Sequence, residues 1–292
     1  MSRMSPTSPV SPVWHAARAG VRRGCIELRQ TFTTGQDVFG YTIWTVLLVV
    51  PLFLVRDDRL EGAGISVGAF MLPSMVGMTL AFTGMMTTAQ LLATEREDGT
   101  LLRAKSVPHG MVGHLVGKIV MVSGTALVSM GLALAAGVFL VEDVARQGGG
   151  AWLTLLWVVP LGLLATLPIG AVIGSLVDSP RTIGLLMLPV MGLIVISGIY
   201  FPLSKLPEWL QTVGQIFPVY WLGLGLRSAL LPADAVAAEL GESWRHLETA
   251  GVLGAWTAAG LLLAPPVLRR MARRESGSAM AERHRKAMQR VG

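Results

Sequence analysis

The chain has 292 residues, 52% of them hydrophobic and only 14% charged, with a mean hydropathy of +0.58. Water-soluble domains carry roughly 25% charged residues, so too few are present to cover a solvated surface, and the long apolar blocks point to an integral membrane protein. The net charge of +6 would also suit nucleic acid, but in a membrane protein a basic excess first reports orientation, and no nucleic-acid partner is expected. The single cysteine, Cys25, excludes an intramolecular disulfide framework and any multi-cysteine metal or iron–sulfur centre.

Residues 1–13 form a Pro/Ser-rich leader with no apolar stretch behind it, which reads as disordered and not as a secretory signal. Residues 14–36 follow as an amphipathic segment. Trp14, Ala17, Val21, Cys25, Leu28 and Phe32 recur at three and four, with Arg18, Arg22 and Arg29 beside them. This pattern predicts a helix in the membrane interface, weakened by Gly20 and Gly24 at roughly 1 kcal/mol each.

Six charge-free segments within 37–271 are long enough to cross a bilayer: 39–55, 67–92, 119–141, 151–177, 182–200 and 249–268. The expected fold is therefore an all-α integral membrane protein with six transmembrane helices, because isolated strands cannot satisfy their backbone in lipid. Eighteen of the 24 Lys and Arg fall on the side of the two termini, which places both termini in the cytoplasm. Residues 272–292 form a basic cytoplasmic tail, and Arg269, Arg270, Arg273 and Arg274 suit anionic headgroups of the surrounding lipid.

No ionisable residue lies in the central part of any span, which disfavours an ion-coupled carrier. Nor is there a nucleophile–base pair or a metal cluster of the kind an intramembrane enzyme needs. His109 and His114, five apart, read as solvated residues. The chain contains no phosphate-binding loop, so it binds no nucleotide itself and any energy from hydrolysis has to come from a partner.

Two loops stand out. After the second span runs Glu95-Arg96-Glu97-Asp98-Gly99-Thr100-Leu101 through Arg103 to Pro108, a mixed-charge turn that topology alone does not require and that suits docking on a protein surface. Between spans five and six, Phe201–Leu231 carries Trp209, Trp221, prolines and glycines, too apolar for a free loop and too broken for a span. The acidic residues after it, Asp234, Glu239, Glu242 and Glu248, read as solvated.

The first loop resembles the E-R-E-x-G-T-L…P segment of ABC-2-type permeases, the membrane subunits of ATP-binding-cassette exporters. The second, from Ser197-Gly198 through Phe201-Pro202, Leu206-Pro207 and Trp209 to Phe217-Pro218, Tyr220 and Arg227, is similar to that family's S-G-x-x-F-P-x-x-x-L-P-x-W-L-Q…P-x-x-Y pattern. Trp221 departs from it, standing where a small residue is common. The resemblance is nearest to drug-resistance permeases of the daunorubicin-exporter type. It implies a multi-pass protein of the bacterial plasma membrane that exports an amphiphile, either a drug or a lipid-like molecule. It implies a homodimer or heterodimer of permeases and a separate ATPase subunit that carries ATP and magnesium. Glu95, Arg96, Glu97, Gly99, Thr100 and Arg103 would contact that ATPase. Phe201, Pro202, Leu206, Pro207, Trp209, Pro218 and Tyr220 would build an outer cap of re-entrant helices. Thr83, Met86, Thr87 and Ser197 are the candidate lining of a substrate path. Two alternatives stay open at this point: a lipid-modifying membrane enzyme, or a carrier or immunity protein outside the ABC class.

The orientation argument has a direct test. Cys25 is expected to react with a membrane-impermeant thiol reagent in inside-out vesicles only, and labelling in intact cells would reverse it.

Overall fold

The computed structural model describes residues 12–60, 64–141, 150–177, 189–190, 192–194 and 196–274. Among them every regular element is helical, apart from one antiparallel bridge between Arg59 and Ser66. Helix α1 (Pro12–Thr31) precedes α2 (Gly35–Leu54). Helix α3 (Val67–Phe82), a π-helical turn (Thr83–Thr87) and α4 (Thr88–Glu97) follow one another without a break. A short α5 (Thr100–Lys105) leads to two long helices, α6 (Gly110–Leu140) and α7 (Gly150–Leu176). The region after residue 200 folds as a 3₁₀ turn (Leu203–Lys205), α8 (Glu208–Ile216), α9 (Pro218–Leu230) and two further 3₁₀ turns, before the final α10 (His246–Arg274).

Four helical stretches are long and apolar enough to cross a membrane: Val67–Glu97, Gly110–Leu140, Gly150–Leu176 and His246–Met271. They coincide with the expected second, third, fourth and sixth spans, and each extends beyond the uncharged segment at one end or both. The first expected span is the shorter apolar helix Val38–Leu54. The fifth, 182–200, lies partly outside the described residues, which begin within it at 189, and the leader up to residue 11 and the tail after residue 274 lie outside them altogether. Helices α2, α3, α7 and α10 all carry internal prolines and continue through them. In a bundle, neighbouring helices and hydroxyl side chains satisfy the carbonyls that a proline frees.

The rod α3–π–α4 is the centre of the bundle. Ser66 starts it by accepting the Ala69 N–H at 3.1 Å, and every residue from Gly68 to Ala81 is buried. The π turn sits where two glycines let α7 come close. A Cβ at Gly84 would lie 2.6 Å from Thr166 Oγ1, and one at Gly170 would clash with the Met85 carbonyl. Thr88 donates to the Gly84 carbonyl at 2.7 Å and so satisfies one acceptor inside the widened turn.

Helix α9, 13 residues long, spans about 20 Å. That is too short to cross a bilayer, yet it is buried from Pro218 through Arg227. Pro218 starts it at the first helical position, where a missing N–H has no consequence. It lies against α3, α7 and α10, and glycines allow each approach. A Cβ at Gly77 on α3 would stand 3.2 Å from the Gly223 Cα, and one at Gly225 would stand 2.9 Å from Val158 on α7.

The structure corrects the reading of Gly20 and Gly24 as mere helix-weakening residues. They form the ridge on which α1 meets α6. Contacts climb together along both helices, Gly20 on Gly113, Gly24 on Gly117 and Leu28 on Gly124, so the pair runs side by side in the same direction. A Cβ at Gly117 would lie 3.0 Å from the Gly20 carbonyl oxygen, and one at Gly113 2.8 Å from that of Ala16. This is small-residue packing of the membrane type, in which backbones touch directly. Of the apolar stripe, Trp14, Val21 and Cys25 stay exposed, while Ala17, Leu28 and Phe32 are half-buried.

Replacing Gly24 by Leu drives a side chain into Val120 and the Gly117 backbone, and is expected to cost about 1–3 kcal/mol. Ala19→Leu, on the exposed side of the same helix, is expected to leave stability unchanged. Thermal unfolding of the purified protein measures both.

Candidate functional site

The charged loop is held by two of its own residues. Glu95, on the last turn of α4, is buried and accepts from His114 Nε2 of α6 at 2.8 Å. Its other oxygen lies 2.8 Å from Lys118 Nζ. Lys118 in turn donates to Glu27 of α1 at 2.8 Å, and Arg23 donates to the same carboxylate at 2.7 Å. One chain of charges therefore joins α4, α6 and α1. Burial alone would raise the Glu27 pKa, but hydrogen bonds and charge from Lys118 and Arg23 outweigh it and hold the carboxyl below the usual glutamate range. Arg96 turns the other way, to the end of α7, donating to the carbonyls of Val177 at 2.8 Å and Ser175 at 3.3 Å. A cation on orphan carbonyls at a helix C-terminus is favoured by hydrogen bonding and by the dipole.

The rest of the motif forms the turn itself. Gly99 takes φ +74°, a left-handed geometry that a Cβ disfavours. It turns the chain from α4 into α5 within a single residue. Asp98 accepts the Thr100 N–H at 2.8 Å and thereby starts α5. Asp98 and Arg103 are exposed and Glu97 and Thr100 are half-buried, while Leu101 packs inward against Leu92 and Met271. Of the six residues expected at a docking contact, then, Glu95 and Arg96 are internal struts, and Glu97, Gly99, Thr100 and Arg103 surround the turn they support.

A second polar centre lies against α3, toward the other end of the rod. Arg227, only 1% exposed, projects from α9. Its Nε donates to one oxygen of Glu239 and its Nη2 to the other at 3.1 Å, a two-pronged ion pair. Nη1 donates to Ser74 Oγ of α3 at 2.8 Å and to the Gly198 carbonyl at 3.4 Å, and the guanidinium sits 4.8 Å above the Phe70 ring. Gly198 itself has φ +67°. Arg227 thus ties the Ser197-Gly198 turn, α3, α9 and the Ala233–Ala238 turn into one cluster.

Among the residues expected in the outer cap, Pro202, Pro218 and Tyr220 are buried and Leu206 is half-buried, whereas Phe201, Pro207 and Trp209 are exposed. Of the candidate path residues, Thr83, Met86 and Ser197 are buried and Thr87 is half-buried. Met86 packs on Ala89, Ala93 and Val177. Ser197 donates to the Leu193 carbonyl and adjoins the Arg227 cluster. Thr83 is nine residues beyond Ser74, about 13 Å along the rod, so the four do not form one surface.

Two residues read as solvated prove internal: His114 is 4% exposed, with Nδ1 unpartnered, and so is Glu239. For Glu239 a signal existed. A lone arginine within the apolar run Trp221–Leu226 and Ala229–Leu231 demands a counter-charge nearby, and Asp234 and Glu239, seven and twelve positions on, are the acidic residues that offer one. For His114 no spacing rule applied, because its partner belongs to another helix.

A family model described as "ABC-2 family transporter protein" matches residues 56–264, which includes the Glu95–Arg103 turn and the Arg227–Glu239 pair. No curated protein matches the chain.

The Arg227–Glu239 pair yields a stability test. Glu239→Gln leaves a buried guanidinium without its counter-charge and is expected to cost about 3–5 kcal/mol. The double variant Arg227→Met/Glu239→Leu is expected to recover most of that loss, as thermal unfolding would reveal.

Proposed function

The chain belongs to the ABC-2 family of transporter proteins, and from that premise we propose that it is the membrane subunit of an ATP-driven exporter. It works with a separate ATPase on the side of the α4–α5 turn. The substrate is an amphiphile, a drug or a lipid-like molecule, and two such subunits enclose its path in the bacterial plasma membrane. Both termini face the cytoplasm, α1 runs along the inner half of α6 with Trp14 and Val21 on its exposed side, and α8 and α9 re-enter from the outer side to cap the path. The chain itself is a transport subunit, and ATP and magnesium bind its partner.

The observation that carries this reading is the division of labour in the charged loop. A motif used only for topology has no need of buried struts. Here Glu95 and Arg96 clamp the base of the turn to α6, α1 and the end of α7. Asp98, Gly99 and Thr100 shape a tight corner, with Asp98 exposed on it. Glu97 and Arg103 supply opposite charges on its surface, which favours a specific protein partner over an anionic lipid surface. A rigid corner transmits displacement, so motion of an ATPase against it reaches α4 and α6 directly.

Within this reading the rod from Val67 to Glu97 links the docking corner to the outer cap. Its inner end is held by Arg96 on α7 and its outer end by Ser74 on Arg227. The π turn at Thr83–Thr87 lies between those anchors. Such turns are frequent at functional positions, and the half-buried Thr87 there is the candidate path residue with access to a substrate.

The test is reconstitution of the permease with its ATPase partner in lipid vesicles. Gly99→Val and Glu97→Arg are expected to leave the membrane subunit folded while lowering substrate-stimulated ATP hydrolysis at least tenfold. Normal coupling in both variants would refute the docking role.

A further inference from the structure

We propose that an open cavity of about 450 Å³ beside the start of α10 receives the neutral, hydroxyl-rich head of the exported molecule, an inference that rests on the permease reading above. Its volume falls in the range of small-molecule sites, roughly 300–1,000 Å³. Gln211 and Gln215 of α8 form one wall, and Leu240, Ser243, Arg245 and Glu248 form the other.

The polar groups are held in place by the protein. Arg245 Nη1 donates to Gln215 Oε1 at 2.7 Å, its Nε lies 3.5 Å from Glu248 Oε1, and its guanidinium stacks 4.7 Å above the Trp221 ring. Trp221 is itself buried and donates to the Gln215 carbonyl at 2.7 Å. This gives a physical use to the indole that departs from the family pattern, since it forms the floor under Arg245. Gln211 donates through Nε2 to the Leu206 carbonyl at 2.7 Å, which orients its amide and leaves Oε1 as an acceptor. Ser243 Oγ accepts from the Arg245 N–H at 3.3 Å and keeps its proton to donate.

The backbone here is unusual as well. Gly241, Glu242 and Arg245 have φ of +70°, +49° and +45°. Among the described residues three non-glycine positions have positive φ, and two of them are Glu242 and Arg245. Strain of this kind persists where the surrounding packing enforces it, and it clusters at ligand sites.

Charge decides the class of ligand. Arg245 and Glu248 stand side by side on one wall, 3.5 Å apart, and offset each other's charge, so neither a phosphate or carboxylate head nor an ammonium head finds an unmatched counter-charge. A group that both donates and accepts without net charge satisfies all the fixed polar atoms, and Leu240 offers an apolar contact to its C–H face. That combination describes a sugar or a similar polyol.

The test uses the full chain in nanodiscs of phosphatidylethanolamine and phosphatidylglycerol, without any ATPase. Three probes share a butyl tail: butyl β-maltoside, butyl phosphate and butyltrimethylammonium. Saturation-transfer NMR is expected to show saturable binding of the maltoside only. Ser243→Ala, at an exposed position, and Gln211→Ala are each expected to weaken it at least fivefold. Glu248→Gln is expected to keep maltoside binding within twofold and to admit butyl phosphate. The proposal is overturned by absence of maltoside binding, by binding unchanged in both alanine variants, or by charged probes binding the wild type equally well. None of these results bears on ATPase coupling, so failure here leaves the permease reading standing, and failure of coupling leaves this binding measurement intact.

Discussion

A guanidinium placed inside an apolar bundle has to find its counter-charge there, and Arg227 organises one whole end of the molecule by doing so. Desolvation penalises an unmatched charge by several kcal/mol. Glu239, Ser74 and the Gly198 carbonyl are accordingly drawn to the same point. That convergence settles where the chain goes after Ser197-Gly198. The Ser197-Gly198 turn, the buried helix Pro218–Leu230 and the turn at Ala233–Ala238 cannot move independently while they share one side chain. Glycines make the convergence possible, because Gly77 and Gly223 let the two helices come close enough for Arg227 to reach Ser74.

The opposite end is organised by a longer chain of charges. Glu95, His114, Lys118 and Glu27 connect three helices, and Arg96 adds a fourth through the carbonyls at the end of Gly150–Leu176. Here the ion pairs are partly open, and the close glycine contact between Pro12–Thr31 and Gly110–Leu140 supplies the packing that aligns them. Each end thus combines small residues that bring backbones together with charges that select one register. The rod Val67–Glu97 spans the distance between the two, and its single π turn is the place where its helical geometry departs from regularity.

Much of this was legible from residue order. Charge-free length located the four helices long enough to cross, since lipid tolerates few charges and a helix needs about 20 residues to span it. The mixed signs of Glu95 to Arg103 marked the loop as more than a topology signal. What residue order did not separate was the inward pair Glu95 and Arg96 from the outward Glu97, Asp98 and Arg103. Adjacent residues on a helix differ by 100° in direction, so their facing depends on the phase of the helix entering the loop. The π turn at Thr83–Thr87 shifts that phase by a residue, and nothing in its composition announces it. The stripe Trp14 to Phe32 was likewise visible, but the face that packs is the glycine ridge beside it.

The sequence by itself determined the helical class, the approximate course of the four long apolar helices and the two segments that carry the family resemblance, because these depend on local composition and on one-dimensional spacing. Only the tertiary structure decided that Arg227 pairs with Glu239, that His114 and Lys118 converge on Glu95, and that Gly20 and Gly24 are a contact surface. Each of these relations joins residues on different elements, 12 to 97 positions apart. The free energy of such a pair comes from shared desolvation and close approach, which exist only once the helices have packed.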